Sequence, residues 1–463
     1  MIRLAGVLLL SVVGAIHIFG GGAWAQPGSQ SGTTQSGSTQ SGTTQTGTTP
    51  STQTERPTPG TPISPVQPTA QGPMFLTPFT HIGPYLLNPP LPQGRLTVTP
   101  SFTISEEFND NVFANNANKD WDFVTGFTPG ISIALQQPTY QLSAAYNFTA
   151  EVYARHTELN NIANRHNLAL NAAYQASQRL SFTLSEYFTY DRNTNAATLQ
   201  GVSTGRREAW TNTIAPGLSW VMTPLMTGRV YGSYVIERFG NTTDDDNAAS
   251  TTAHDSNGYR IGVAVDRTFT PRLTGTASYE FAYLDIDGEP VTMTHTPRLG
   301  VSYLITGTLS ASLSAGPSFV VQEGDTSVTP AVTATLAQRF KWGQISGTYD
   351  RAVTTSGGQG GVVDSQSVTG LVEVTSLMKG FVIGLSPRYS TFESEGKHTR
   401  TNTDFNTFTL SLNAAYQVAR YITIYGSYTF FRQRSDTTSS SAADVDQNRV
   451  FIGLQFGYPF SFN

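Results

Sequence analysis

From Arg95 to the end of the chain, apolar and polar residues alternate with a period of two. The last segment shows it most plainly. Val450, Ile452, Leu454, Phe456, Tyr458, Phe460 and Phe462 fall on one face of an extended chain, and Phe451, Gly453, Gln455, Gly457, Pro459 and Ser461 on the other. Strand side chains point alternately to opposite sides, so one face is greasy and the other small or polar. An apolar face this long exceeds what a soluble hairpin needs and suits a bilayer. The same signature recurs in Leu142, Ala144, Tyr146, Phe148, Ala150 and Val152, in Leu273, Ala277, Tyr279, Phe281 and Tyr283, and in Phe408, Leu410, Leu412, Ala414 and Tyr416. No helical stripe competes with it.

The breaks between these segments are of two kinds. Tight ones are predicted near Gln137-Pro138, Gln178-Arg179, Thr223-Pro224, Pro271, Thr306-Gly307, Trp342-Gly343, Lys379-Gly380 and Ala419-Arg420. Longer polar stretches lie between them, such as Asn193 to Arg206, Asn241 to Asp255 and Ser435 to Ala443. Short turns alternating with long loops predict a barrel with its long loops outside, and the segments between the breaks number about eighteen (roughly 16–18). The expected fold is an all-β, antiparallel up-and-down transmembrane barrel. The spacing also resembles propeller blades, but long aromatic faces and alternating loops do not fit a soluble propeller.

Composition narrows the class. Charged residues make up 13% and hydrophobic ones 38%, a pairing that suits alternating lipid-facing and water-facing positions. The chain has no cysteine, which removes disulfides and thiolate metal sites. Its net charge of −5 excludes a nucleic-acid partner. The start reads as a signal peptide, 1–25: Arg3, an apolar run from Leu4 to Phe19, and Ala23-Trp24-Ala25 before the expected mature start at Gln26. Residues 26–94 form a disordered segment, first rich in Gly, Ser, Thr and Gln, then in proline. Within it, Met74-Phe75-Leu76, Phe79 and Tyr85-Leu86-Leu87 make an apolar island. The island is either a linker along the periplasmic rim, the favoured reading, or a plug or docking strip through which residues 72–93 meet periplasmic export components.

Pro129, Pro216, Pro297, Pro317 and Pro387 fall on the lipid-facing set, where bulges are expected because proline cannot donate to a ladder. Strand bending is the favoured consequence, weakened pairing for lateral opening the other. Thr128-Pro129-Gly130-Ile131, Ala215-Pro216-Gly217-Leu218 and Thr296-Pro297-Arg298-Leu299 look like copies of one element. With Ser105-Glu106-Glu107-Phe108-Asn109-Asp110-Asn111-Val112-Phe113, they resemble outer-membrane barrels associated with exopolysaccharide and protein-sorting gene clusters. That resemblance covers roughly residues 96–463 and implies a role in envelope export or assembly, without assigned catalytic residues. Gly457, Phe460 and Phe462 resemble the C-terminal assembly signal of such barrels, except that Asn463 follows. The expected partners are outer-membrane lipid, lipopolysaccharide and the barrel-assembly machinery.

Parity assigns Glu151, Arg229, Glu237, Arg260, Asp266, Glu280, Arg298, Asp350, Glu373 and Arg388 to the lumen, with Arg155 near the outer end. The signs nearly balance, which suits neutral or mildly polar solutes. Tyr153, Tyr187, Tyr231 and Tyr425 are inward aromatics, as packing residues or as a sugar-stacking track. Glu186 points to lipid, so a bulge or a place above the membrane is expected there. Catalytic chemistry is weakly signalled: His254-Asp255-Ser256 has triad residue types, but neighbours in sequence cannot orient one another. The other histidines of the mature chain are His81, His156, His166, His295 and His398, and Ser435, Ser439 and Ser440 have none nearby in sequence. Asp244-Asp245-Asp246 with Asp255 is read as a solvated loop before a calcium site. No cofactor or metal is expected. A channel for small polar solutes or saccharides is the favoured function, ahead of a structural or adhesive barrel and a membrane-embedded hydrolase.

Overall fold

The computed structural model describes residues 96–116, 119–242, 253–375, 377–395, 403–435 and 444–462, all within the compact unit Ser64–Asn463. The expected signal peptide, the 26–94 segment with its apolar island, His81, His398, Ser439, Ser440 and Asp244–Asp246 lie outside the described residues. Period-two alternation becomes strand throughout. The strands are β1 (Leu96–Asn109), β2 (Asp122–Gln136), β3 (Tyr140–Tyr153), β4 (Asn161–Gln175), β5 (Leu180–Asn193) and β6 (Arg206–Thr223). Then come β7 (Met226–Thr242), β8 (Ser256–Thr270), β9 (Leu273–Ile286), β10 (Thr292–Leu304), β11 (Leu309–Gln322) and β12 (Asp325–Phe340). The last are β13 (Gly343–Thr355), β14 (Val362–Val374), β15 (Phe381–Ser394), β16 (Phe405–Ala419), β17 (Ile422–Ser435) and β18 (Val445–Gly457).

Each strand pairs antiparallel with its neighbours in sequence, and β1 closes the sheet on β18. Phe460–Phe462 continues β18 past Pro459, pairing with the first residues of β1. The result is a closed barrel of eighteen antiparallel strands. A 14-residue strand such as β1, rising about 3.3 Å per residue at roughly 40° tilt, climbs roughly 35 Å, enough to cross an apolar band of about 25 Å. Large side chains expected to face lipid, such as Ile452 and Phe456, stand exposed on the outer face, as do Phe102, Phe127, Ile131, Val263, Leu299 and Leu313. All eight tight connections fall where they are expected, at one end of the barrel.

Three expectations fail. At the prolines there are no bulges. Pairing across β2–β3, β6–β7, β10–β11 and β14–β15 lapses for two or three residues beside Pro129, Pro216, Pro297 with Pro317, and Pro387, then resumes in unchanged register. Each of these prolines keeps its place in one ladder and leaves a gap in the other, so the missing N–H costs bonds without adding a residue. Glu186 sits mid-strand in β5, outward and buried, with continuous register to both neighbours. The opposite-end connections are not uniformly long either: Glu323-Gly324 is a two-residue turn with φ of 50° and 89°, which suits the twist of a hairpin.

Candidate functional site: the barrel lumen

Strand parity carries polar side chains inward, and the barrel's curvature brings them together. The densest cluster spans β18 to β6 across the closure of the barrel. Arg449 forks onto Glu107 at 2.8 and 2.9 Å. Arg165 reaches Glu107 at 3.2 Å, Glu151 at 2.7 Å and Asp191 at 3.5 Å. Tyr153 and Asn164 donate to Glu151, and Arg206 donates to the Tyr153 hydroxyl at 2.7 Å. Three arginines thus face three carboxylates, a network that fixes geometry rather than a field of one sign.

A second cluster lines β7 to β10. Arg229 holds Asp266 bidentately at 2.6 and 2.9 Å, and Thr276 donates to the same carboxylate. Arg298 donates to Thr333, which donates to Asp350. Gln344 donates to Glu373, and Arg388 to Ser390. Arg260 and Glu280 stand on the same inner wall, half-buried.

The end of the barrel opposite the tight turns is occupied. Residues 194–205 turn into the bore instead of standing outside, beginning with the one-turn helix Thr194–Ala197. Ala197, Thr198, Val202, Ser203 and Thr204 are buried. The tip of the β13–β14 hairpin folds in to meet them, over four glycines with positive φ: Gly357, Gly358, Gly360 and Gly361. Gln359 and Gln433 both donate to the Ser203 carbonyl oxygen, at 2.7 and 2.8 Å. Val202 packs on Val363, Phe392 and Phe405, while Val353 and Val362 pack on Leu284, Ile286 and Val320. Glu237, fully buried, accepts from Ser256 Oγ, Thr355 Oγ1 and the Leu199 N–H. It ties the inward loop to the hairpin tip.

All ten lumen candidates lie on strands, in three places rather than one ring. Glu151 belongs to the first cluster and Glu237 to the loop anchor. Arg229, Arg260, Asp266, Glu280, Arg298, Asp350, Glu373 and Arg388 follow the wall from β7 to β15. Arg155 does not join the lumen: it lies in an outer connection, paired with Asp120 at 2.8 Å and over the Trp121 ring at 4.3 Å. Sequence reasoning missed Glu107, Asp191 and Arg449, which parity would have placed inward beside Ser105, Thr189 and Phe451. Asn164 was beyond it, because the β3–β4 register shifts between Thr149 and Glu151 and turns Asn164 inward.

The catalytic candidates do not converge. His254 Nδ1 meets the Asp287 carbonyl oxygen, while Ser256 donates to Glu237. His156 bridges Asp120 and Asp122, and His166 and His295 pair with Tyr146 and Tyr279 on the outer face. Among the described residues, no three His, Asp or Glu side chains gather as a metal site would require. Gly457 pairs with Ser101, and Phe460 and Phe462 stand exposed at the tight-turn end, beside the start of β1.

The chain matches no protein-family model and no curated protein. Among solved structures it is similar to OccAB4 of Acinetobacter baumannii, with a TM-score of 0.40 and 11% identity over 80% of this chain and 100% of that one. It is also similar to OpdO of Pseudomonas aeruginosa (0.41, 12%, 80% and 98%) and to OprD of the same organism (0.39, 10%, 79% and 96%). At these values the likeness carries no argument about this chain, whose barrel stands on its own strand pairing.

Proposed function

We propose that this chain is a channel of the bacterial outer membrane that passes small polar solutes or saccharides. The observation that carries the reading is the closed eighteen-stranded wall, apolar outside and lined inside by balanced charge. An even number of strands returns both ends of the sheet to one side, and the tight turns mark that side as periplasmic. A barrel of this circumference encloses an aqueous bore unless something fills it. Here the fill is local: the inward loop and hairpin tip occupy the extracellular end, while Gln141, Ser143, Ala145 and Asn171 line an accessible periplasmic half.

That packed outer layer also favours a second reading, a non-conducting structural barrel. Planar-bilayer recording of the refolded full chain separates the two. The channel predicts discrete conductance steps, larger after removal of residues 195–204. Absence of steps from both proteins would overturn it. If residues 72–93 serve as a docking strip for periplasmic export components, their removal changes assembly in cells without changing the step size; unchanged assembly leaves them a linker.

A further inference from the structure

We propose that the inner wall of β7–β10 holds a binding site for a neutral pyranose sugar, with Tyr231 as its stacking platform. The inference rests on the channel reading and names the substrate class for that bore.

Tyr231 stands directly opposite Gly262, and Gly262 opposite Glu280. A Cβ on Gly262 would lie 2.2 Å from Tyr231 Cζ and 2.5 Å from its hydroxyl, so the ring lies across the glycine. One side of the ring rests on the wall and the other is left to the bore. Small residues continue the floor: Ala264 beside Arg229, Ser278 beside Arg298, and Ala282 beside Arg260. Long polar side chains stand around it. Glu280, Arg298, Arg229 and Arg260 are all near enough to act electrostatically on the Tyr231 hydroxyl.

Their partners decide the ligand. Arg229 is neutralised by Asp266. Arg298 is linked through Thr333 to Asp350. Arg260, Glu280 and the Tyr231 hydroxyl make no hydrogen bond or ion pair with any described residue. The uncommitted groups are thus the Arg260 guanidinium, the Glu280 carboxylate and the Tyr231 hydroxyl, with Arg298 Nε also left without a partner, around an aromatic face. A guanidinium only donates, a carboxylate only accepts, and a hydroxyl does both. A polyhydroxylated ring satisfies that set, and the electron-rich ring face attracts its C–H groups. An anionic sugar would repel Glu280, and a cationic solute would meet Arg260.

The other inward tyrosines are already engaged. Tyr425 lies over Gly453 in the same manner, but among Val382, Ala415 and Phe451. Tyr153 is bonded to Glu151 and Arg206, and Tyr187 to Asn171. The site also lies periplasmic of the packed layer, since Leu284 of that layer is four residues further along β9 than Glu280.

The test uses the full chain refolded in an amine-oxide detergent, which carries no sugar headgroup, with folding checked by heat-modifiable gel mobility. Saturation-transfer NMR titrations with cellotriose and trigalacturonate read binding. Cellotriose should bind saturably, and Tyr231→Ala should weaken it by about tenfold, while Tyr231→Phe stays within about threefold. Glu280→Gln, which keeps size and shape, should weaken it by about threefold or more and covers the case in which Tyr231→Ala does not fold. Equal binding by wild type and variants, no binding of cellotriose up to about 50 mM, or trigalacturonate binding about tenfold more tightly would each overturn the site. Conductance of the same preparation separates the two inferences: steps without sugar binding sink the site alone, and sugar binding without steps sinks the channel alone.

Discussion

The inward loop can be tested through its anchor. Glu237 is 0% exposed and accepts three hydrogen bonds, from Ser256 Oγ at 2.9 Å, Thr355 Oγ1 at 3.1 Å and Leu199 N at 3.4 Å. Thr355 in turn accepts from Gln200 Nε2 at 2.8 Å, so the loop is held both directly and through the hairpin tip. Glu237→Ala removes the acceptor from all three donors. Hydrogen bonds to a charged group contribute about 1.5–3 kcal/mol each, but the substitution also lifts the desolvation cost of the buried carboxylate. Only the Leu199 bond and the Thr355–Gln200 link break when the loop swings out. The closed state should therefore lose about 2 kcal/mol, or about thirtyfold in the opening equilibrium. The chain has no cysteine, so one thiol reports on the loop without background. Val202→Cys keeps an apolar side chain of similar size at a 0% exposed position against Val363, Phe392 and Phe405. When opening is fast and rare, maleimide labelling proceeds at the open fraction times the intrinsic rate. The added Glu237→Ala should accelerate it about thirtyfold, with the barrel's gel mobility unchanged. Labelling at the same rate in both proteins would refute the anchor, and fast labelling of Val202→Cys alone would refute the inward loop.

Three further outcomes are expected. Gly316→Ala places a methyl group 1.9 Å from the Pro297 carbonyl oxygen, which only a backbone shift relieves, at about 1–3 kcal/mol or more; the barrel should unfold at lower temperature in heat-modifiability gels, whereas Gly307→Ala, with open space around it, should not. At the outer rim, burial opposes the charged form of Asp120, but the Trp121 N–H, Arg155 and His156 outweigh it and hold the carboxyl below its ordinary value. A depressed carboxylate contributes stability above its unfolded pKa and loses it as pH falls through the folded one, so Trp121 emission, in a variant keeping only that tryptophan, should hold from about pH 7 to 5 and change below about 4; a change between 5 and 7 would point to His156 instead. Replacing Phe460 and Phe462 with alanine should lower the yield of heat-modifiable barrel in the outer membrane while leaving refolding in detergent intact, and equal loss in both settings would make these residues packing elements rather than an assembly signal.

The wall was legible because its code is local. In the terminal strand, every residue of the apolar set from Val450 to Phe462 could be placed outward from parity alone, and six of the eight tight turns carry their own proline or glycine signals. Prolines misled in one respect. A bulge and a skipped pair both follow from a missing N–H, and only the neighbouring strand decides between them: Pro297 faces Pro317, so neither side can donate and register is kept. Glu186 misled for a related reason, since its parity was right and its cover by neighbouring outer-face side chains invisible. The site was legible as a set of inward residues and not as an arrangement. Nothing near Glu107 in sequence announces Arg449, 342 residues away.

By itself, then, the sequence determined which residues face lipid, how many strands there are to close, and the near balance of charge inside, because alternation, turn chemistry and composition act within a few residues. Tertiary structure alone decided which charges neutralise one another, which tyrosine keeps a free hydroxyl, and that residues 194–205 fold inward. Those depend on contacts between strands far apart in the chain, brought to within a few ångströms by closure of the sheet. A polar loop reads the same in sequence whether it meets water or the inside of its own barrel.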